Sequence, residues 1–180
     1  MRHTTMAMLA IALVPGAGLA QEKDTAALVK YGEYLVRTSG CHDCHTPFAM
    51  GPNGPEPDMS RALSGHPQDI MIEAPAKLPE PWTAASSATN TAWSGPWGVS
   101  FTANLTPDPE TGVLRDISEE QFIETLRTGR HKGQGRQILP PMPWQVYGQK
   151  TDKDLRAIYA YLRQIPPIRN QVPEPIPPAQ

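Results

Sequence analysis

Two cysteines three positions apart with a histidine directly after the second, Cys41-His42-Asp43-Cys44-His45, constrain this chain more than any other feature. The spacing is that of covalent attachment of a c-type haem. Each thiol adds across one vinyl group of the porphyrin, and two intervening residues set the thiols at the vinyl separation. The histidine that follows falls beneath the iron as an axial ligand. Cys41 and Cys44 are the only cysteines present, so the pair is not part of a larger thiol site. A zinc centre would need two more Cys or His ligands at finger-like spacing, and His3, His42, His66 and His131 show no such pairing. A thioredoxin-like pair would need a βαβ context, whereas the flanks read as helix and proline-rich loop. The motif therefore predicts one covalent haem c, bonded to Cys41 and Cys44, with His45 on the iron.

The second axial position has several candidates: Met50, Met59, Met71, Met142, His66 and His131. Met142 is the best placed. It follows a helix and a glycine-rich loop and is bracketed by Pro141 and Pro143, which keep it out of helices and sheets. A flexible thioether on a stiff backbone suits presentation to a metal better than gap-filling in a core. Met50 lies too soon after the motif to reach the opposite haem face. Met59 and Met71 lack a rigid frame, and His66 and His131 read as surface or propionate-side residues.

Residues 1–20 read as an export signal: Arg2, an apolar run from Met6 to Val14, a Pro15-Gly16 break and small residues before Gln21. The apolar run is too short for the ~20 residues of a membrane span. The expected location is the periplasm, with no integral membrane segment after cleavage. The length suits one domain, expected at 21–165, followed by a Pro-rich tail at 166–180 that is extended and either laid on the surface or loose. A formal charge of −2 gives no reason to expect a nucleic-acid partner. Twenty-one prolines and 14 glycines predict much irregular backbone and a thin peptide-only core, which a buried porphyrin would complete.

Asp24 is the expected N-cap of a helix running to Ser39 and closed by Gly40, with Leu28, Tyr31, Gly32, Leu35 and Val36 on one face. Gly32 inside that stripe predicts a close approach by another helix. Ser118 and Gln121 form a capping box ahead of Phe122, Ile123 and Leu126, and Thr151 caps a last helix carrying Leu155, Ile158, Tyr159 and Leu162. Between these, residues 46–115 are broken by eight prolines up to Pro81. Trp82, Trp93 and Trp97 are expected to cover the loops or the haem, and Gly98 to Leu105 to be extended. Arg127, Arg130, Lys132 and Arg136 make a basic loop that would hold propionates, ring a docking face, or stay solvated. Thr102 and Asn104 are further propionate candidates.

This order of elements resembles a class I c-type cytochrome. More closely, Phe101-Thr102-Ala103-Asn104-Leu105-Thr106-Pro107-Asp108, Leu139-Pro140-Pro141-Met142-Pro143-Trp144 and Asp154-Leu155 with Ile158-Tyr159-Ala160-Tyr161-Leu162 are similar to cytochrome c domains accompanying bacterial periplasmic alcohol and gluconate dehydrogenases. The resemblance covers about residues 30–165. It implies an all-α cytochrome c fold in which the first and last helices cross, Gly32 facing Ile158 and Tyr161 or Leu162. It also implies that His45 Nδ1 donates to the carbonyl of a loop proline, Pro52 or Pro55. The implied role is one-electron transfer, not catalysis. Its redox partners would be a dehydrogenase donor and a cytochrome or oxidase acceptor, met by a free shuttle or within a dehydrogenase complex. A haem enzyme or gas-binding protein with an open sixth site is the remaining alternative, and one haem with no convergent acid/base pair offers it little. Such dehydrogenase subunits usually carry several haem motifs; this chain has one.

Overall fold

The structure is a computed structural model that describes residues 16–178. Helix α1 (Gly16–Thr38) begins well before Asp24, so Asp24 lies inside it and not at its cap. No proline interrupts the segment from Gly16 to Asp24, and apart from Gly18 its residues Ala17, Leu19, Ala20, Gln21, Glu22 and Lys23 are good helix formers. Residues 1–15 of the expected export signal lie outside the described residues. At its other end α1 stops where expected, and Gly40, in the left-handed conformation (φ 73°), turns the chain into the motif helix α2 (Cys41–His45).

Helix α5 (Asp152–Leu162) crosses α1, and this crossing is the mechanical centre of the molecule. The apolar stripe of α1 delivers Leu35 and Val36 into a core with Leu155, Ala157, Ile158 and Leu162, while Tyr31 stays at the rim and donates from its hydroxyl to Asp154 Oδ1 (2.7 Å). Gly32 sits against Ala157 and Tyr161, one position off the Ile158 contact the resemblance implied. Helix α3 (Glu119–Thr128) adds Phe122 and Leu126. Both expected caps form as full capping boxes, Ser118 with Gln121 and Thr151 with Asp154.

The fold is not all-α. Residues 48–101 contain two antiparallel sheets: β1 (Phe48–Gly51) with β2 (Gly54–Pro57), and β3 (Ala85–Ser86), β4 (Ala92–Gly95) and β5 (Gly98–Phe101) in sequence order. The physical reason is in the punctuation. Prolines spaced every few residues forbid a helix, and two-residue turns at Pro52-Asn53 and Pro96-Trp97 fold the short extended pieces back on themselves. Burial in this layer also departs from expectation. Trp82 is 70 % exposed, whereas His66 is fully buried, bonded through Nδ1 to Thr91 Oγ1 (2.9 Å) and through Nε2 to the Ile70 carbonyl (3.0 Å).

The tail is extended but anchored. Asn170, 2 % exposed, donates to the carbonyls of Ser64 (2.7 Å) and His66 (2.8 Å) and accepts from the Gln68 amide (3.0 Å). Farther on, Ile176 exchanges two backbone hydrogen bonds with Val99, adding a bridge to the edge of β5. Asn104, buried, donates to the Ile168 carbonyl from below (2.8 Å). Replacing Asn170 with alanine strands two buried carbonyls and one amide, so Asn170→Ala should cost about 2 kcal/mol. Chemical denaturation of the haem-loaded protein checks this; an unchanged midpoint would mean the tail is not held by this side chain.

Candidate haem site

Helix α2 is a single turn, so Cys41 and Cys44, three residues apart, lie on the same face of it. Both thiols are free of disulfide bonds, and burial pushes Cys41 up to about 11 and Cys44 in the same direction. Among the described residues no three His, Cys, Asp or Glu side chains converge.

His45 Nδ1 donates to the Ala103 carbonyl at 2.8 Å. That bond fixes the tautomer, leaving Nε2 as the nitrogen with a free lone pair, and burial lowers the ring's pKa so that it stays neutral. The acceptor is not Pro52 or Pro55. Those prolines are taken up in the β1–β2 hairpin, which pairs with itself, and the strand leaving β5 carries Ala103 to the ring instead. Sequence spacing held no signal for this, because the contact joins residues 58 apart.

Met142 lies on a loop that returns from α3. Gly129, left-handed at φ 66°, ends α3 and lets the indole of Trp144 pack directly on its backbone. The Ile138 amide donates to the Gly129 carbonyl (2.8 Å) and Ser100 Oγ to the Pro140 carbonyl, tying the loop to the helix and to β5. The short helix α4 (Trp144–Tyr147) starts just beyond, and Tyr147 donates from its hydroxyl to the Ser39 carbonyl. Met142 is thereby half-buried against the core.

Cys41, Cys44, His45 and Met142 all line one cavity, of ≈1390 Å³ including its open mouth. One wall is the helical core, with Leu114, Phe122, Leu126, Ile158 and Leu162; the other is Phe101 to Ala103 and the loop through Leu139–Pro143. The other candidate methionines are elsewhere: Met50, Met59 and Met71 are 79 %, 58 % and 76 % exposed. His66 is outside the cavity, occupied by Thr91 and Ile70; His131 is on its wall.

The basic loop does not form a free ring. Arg127 pairs with Asp152 (2.6 Å) and Lys132 with Asp116 (2.7 Å), while Arg136 reaches the cavity wall. Asn104 is committed to Ile168, Thr111 and Thr106 as a buried structural amide, so it is not available to a propionate.

No protein-family model matches the chain. It is similar to the cytochrome c subunit of alcohol dehydrogenase (quinone) from Gluconobacter oxydans strain 621H, 31% identical over 162 residues, covering 88% of this chain and 26% of that one. It is similar to the gluconate 2-dehydrogenase cytochrome c subunit of Pantoea cypripedii, 31% identical over 160 residues, covering 84% and 27%. Over 71 residues it is 37% identical to the fructose dehydrogenase cytochrome subunit of Gluconobacter japonicus, covering 39% and 14%. The chain thus spans about a quarter of the length of the first two relatives. Homology to cytochrome c subunits implies haem c, and the residues present fit it: an apolar cavity, two free thiols one helical turn apart, and an imidazole with its outer nitrogen free.

Proposed function

We propose that this cytochrome c homologue is an exported electron carrier holding a single haem c, with thioether bonds from Cys41 and Cys44 and axial ligation by His45 and Met142. The observation that carries the reading is the convergence of these four side chains, from two segments about a hundred residues apart, on one apolar cavity. When bound, haem supplies reversible one-electron chemistry at its iron. The chain's part is to hold and tune. His45, braced by the Ala103 carbonyl, presents a neutral nitrogen in a fixed orientation. A Met142 thioether on the other side favours the reduced state relative to a second imidazole. Phe122, Leu126, Ile158 and Leu162 line the cavity and would keep water from a bound iron, which would disfavour extra charge there and raise the potential again. With His45 and Met142 both on a bound iron, no position would be left for a substrate, which fits a role in transfer and not in catalysis.

The names of the relatives, cytochrome subunits of dehydrogenases, support a setting as the cytochrome subunit of a dehydrogenase complex; our reading adds a periplasmic location, with electrons taken from the dehydrogenase and passed to a cytochrome or oxidase. Among the described residues no helix is long and apolar enough to cross a membrane.

Produced in cells with cytochrome-maturation machinery, the protein should keep one haem per chain through denaturing electrophoresis. Its reduced form should respond barely at all to carbon monoxide. Haem lost on denaturation, or a rapid full spectral change with carbon monoxide, would refute this reading.

A further inference from the structure

The C-terminal tail runs beside the haem cavity as a span held at two points. At the first, the buried Asn170 side chain holds the carbonyls of Ser64 and His66, and the Asn170 amide donates to Thr111 Oγ1 (3.0 Å). The next amide, of Gln171, donates to Gln68 Oε1 (3.0 Å). At the second, Ile176 exchanges two backbone hydrogen bonds of 2.8 and 3.0 Å with Val99, on the outer edge of β5. Gly98 leaves room for this contact, since a side chain there would run into the Ile176 carbonyl and the Pro177 backbone. Between the two points, among the described residues, the backbone of 172–175 makes no hydrogen bond to other backbone.

The two attachments differ in strength. Asn170 is tied to residues of the packed interior, Ser64 and His66 both being fully buried. At the far end Pro173, Pro175, Pro177 and Pro178 carry no N–H, so from 173 to 178 only Glu174 and Ile176 can donate, and the pairing with β5 stops at one rung. Two hydrogen bonds on a sheet edge can open locally while the core stays folded. Beneath the span lies a second cavity, of ≈980 Å³ including its open mouth, which Gln171 to Pro175 cover. It adjoins the haem cavity, because Phe101, Ala103, Val113 and Pro175 line both. We infer that residues 171–176 are a strap, hinged at Asn170 and latched at Ile176, whose release opens the haem cavity on its Phe101–Ala103 side to water and small redox molecules. The gating rests on the haem reading above; the hinge and the latch do not.

Native-state hydrogen exchange of the full chain tests the strap. The Val99 and Ile176 amides should show protection factors at least an order of magnitude below that of the Asn170 amide, with exchange insensitive to low denaturant. Ile176→Pro deletes the latch donor in the haem-loaded protein. It should speed oxidation of the reduced protein by ferricyanide several-fold and lower the midpoint potential, as water enters the cavity, with the visible bands of the ligated haem unchanged. Truncation after Val172 removes the latch altogether, should act at least as strongly, and decides if Ile176→Pro does not accumulate. Equal protection at Val99, Ile176 and Asn170 overturns the latch, and the parent's oxidation rate and potential in these variants overturn the gating. A parent lacking covalent haem would overturn the haem reading instead, while the exchange pattern, which needs no haem, still decides the latch.

Discussion

Met142→Ala should lower the midpoint potential by on the order of 0.1 V or more, because the identity of the axial ligand moves haem potentials across a range of ~0.8 V. The same variant should bind carbon monoxide rapidly when reduced, since the sixth position is then closed only by water or by nothing. Met142 also packs against the core, so about 2 kcal/mol of stability should go with it. Met71→Ala is the matched control. That side chain is 76 % exposed and outside the cavity, and its removal should alter neither potential nor ligand binding. Redox titration and carbon monoxide spectra of the two variants side by side settle the ligand. A Met142→Ala protein with the parent's potential would exclude Met142 from the iron.

Gly32→Ala should be nearly as damaging, at a site far from any chemistry. A Cβ at Gly32 runs into the backbone carbonyl of Ala157 and comes within 2.8 Å of Tyr161 Cβ. Overpacking of this kind typically costs 1–3 kcal/mol. The upper end, about 3 kcal/mol, applies here because the obstructing atom is main chain and has no rotamer to yield. For a domain of this size that is a fall of roughly 10 °C in melting temperature. A second, sharper expectation follows from the same contact: Ala157→Gly should not rescue Gly32→Ala, since trimming the side chain leaves the carbonyl in place. Thermal melts followed by haem absorbance test both. Rescue by Ala157→Gly would show that side chains, and not backbones, set the helix separation.

The local features of this chain were legible because they are local. The capping box at Ser118 and the cap at Thr151 need only neighbouring residues, and the apolar stripes of α1, α3 and α5 follow from helical periodicity. Gly32 signalled a helix contact because a glycine inside such a stripe is otherwise a cost. Asp24 misled for the same reason in reverse. It is a good cap residue by type, but the segment before it has no reason to leave the helix.

From residues alone, the chain determined its cofactor class, the starts of α3 and α5 and the end of α1, since spacing of three and four along one backbone decides them. Only tertiary structure decided that the proline-rich middle folds as two small sheets, that Ala103 and no proline braces His45, that Arg127 and Lys132 pair with Asp152 and Asp116, and that the tail is locked by Asn170. Each of these joins groups separated by many residues. Their pairing depends on where the α1–α5 crossing and the cavity beside it place the intervening loops, and one-dimensional spacing does not encode that.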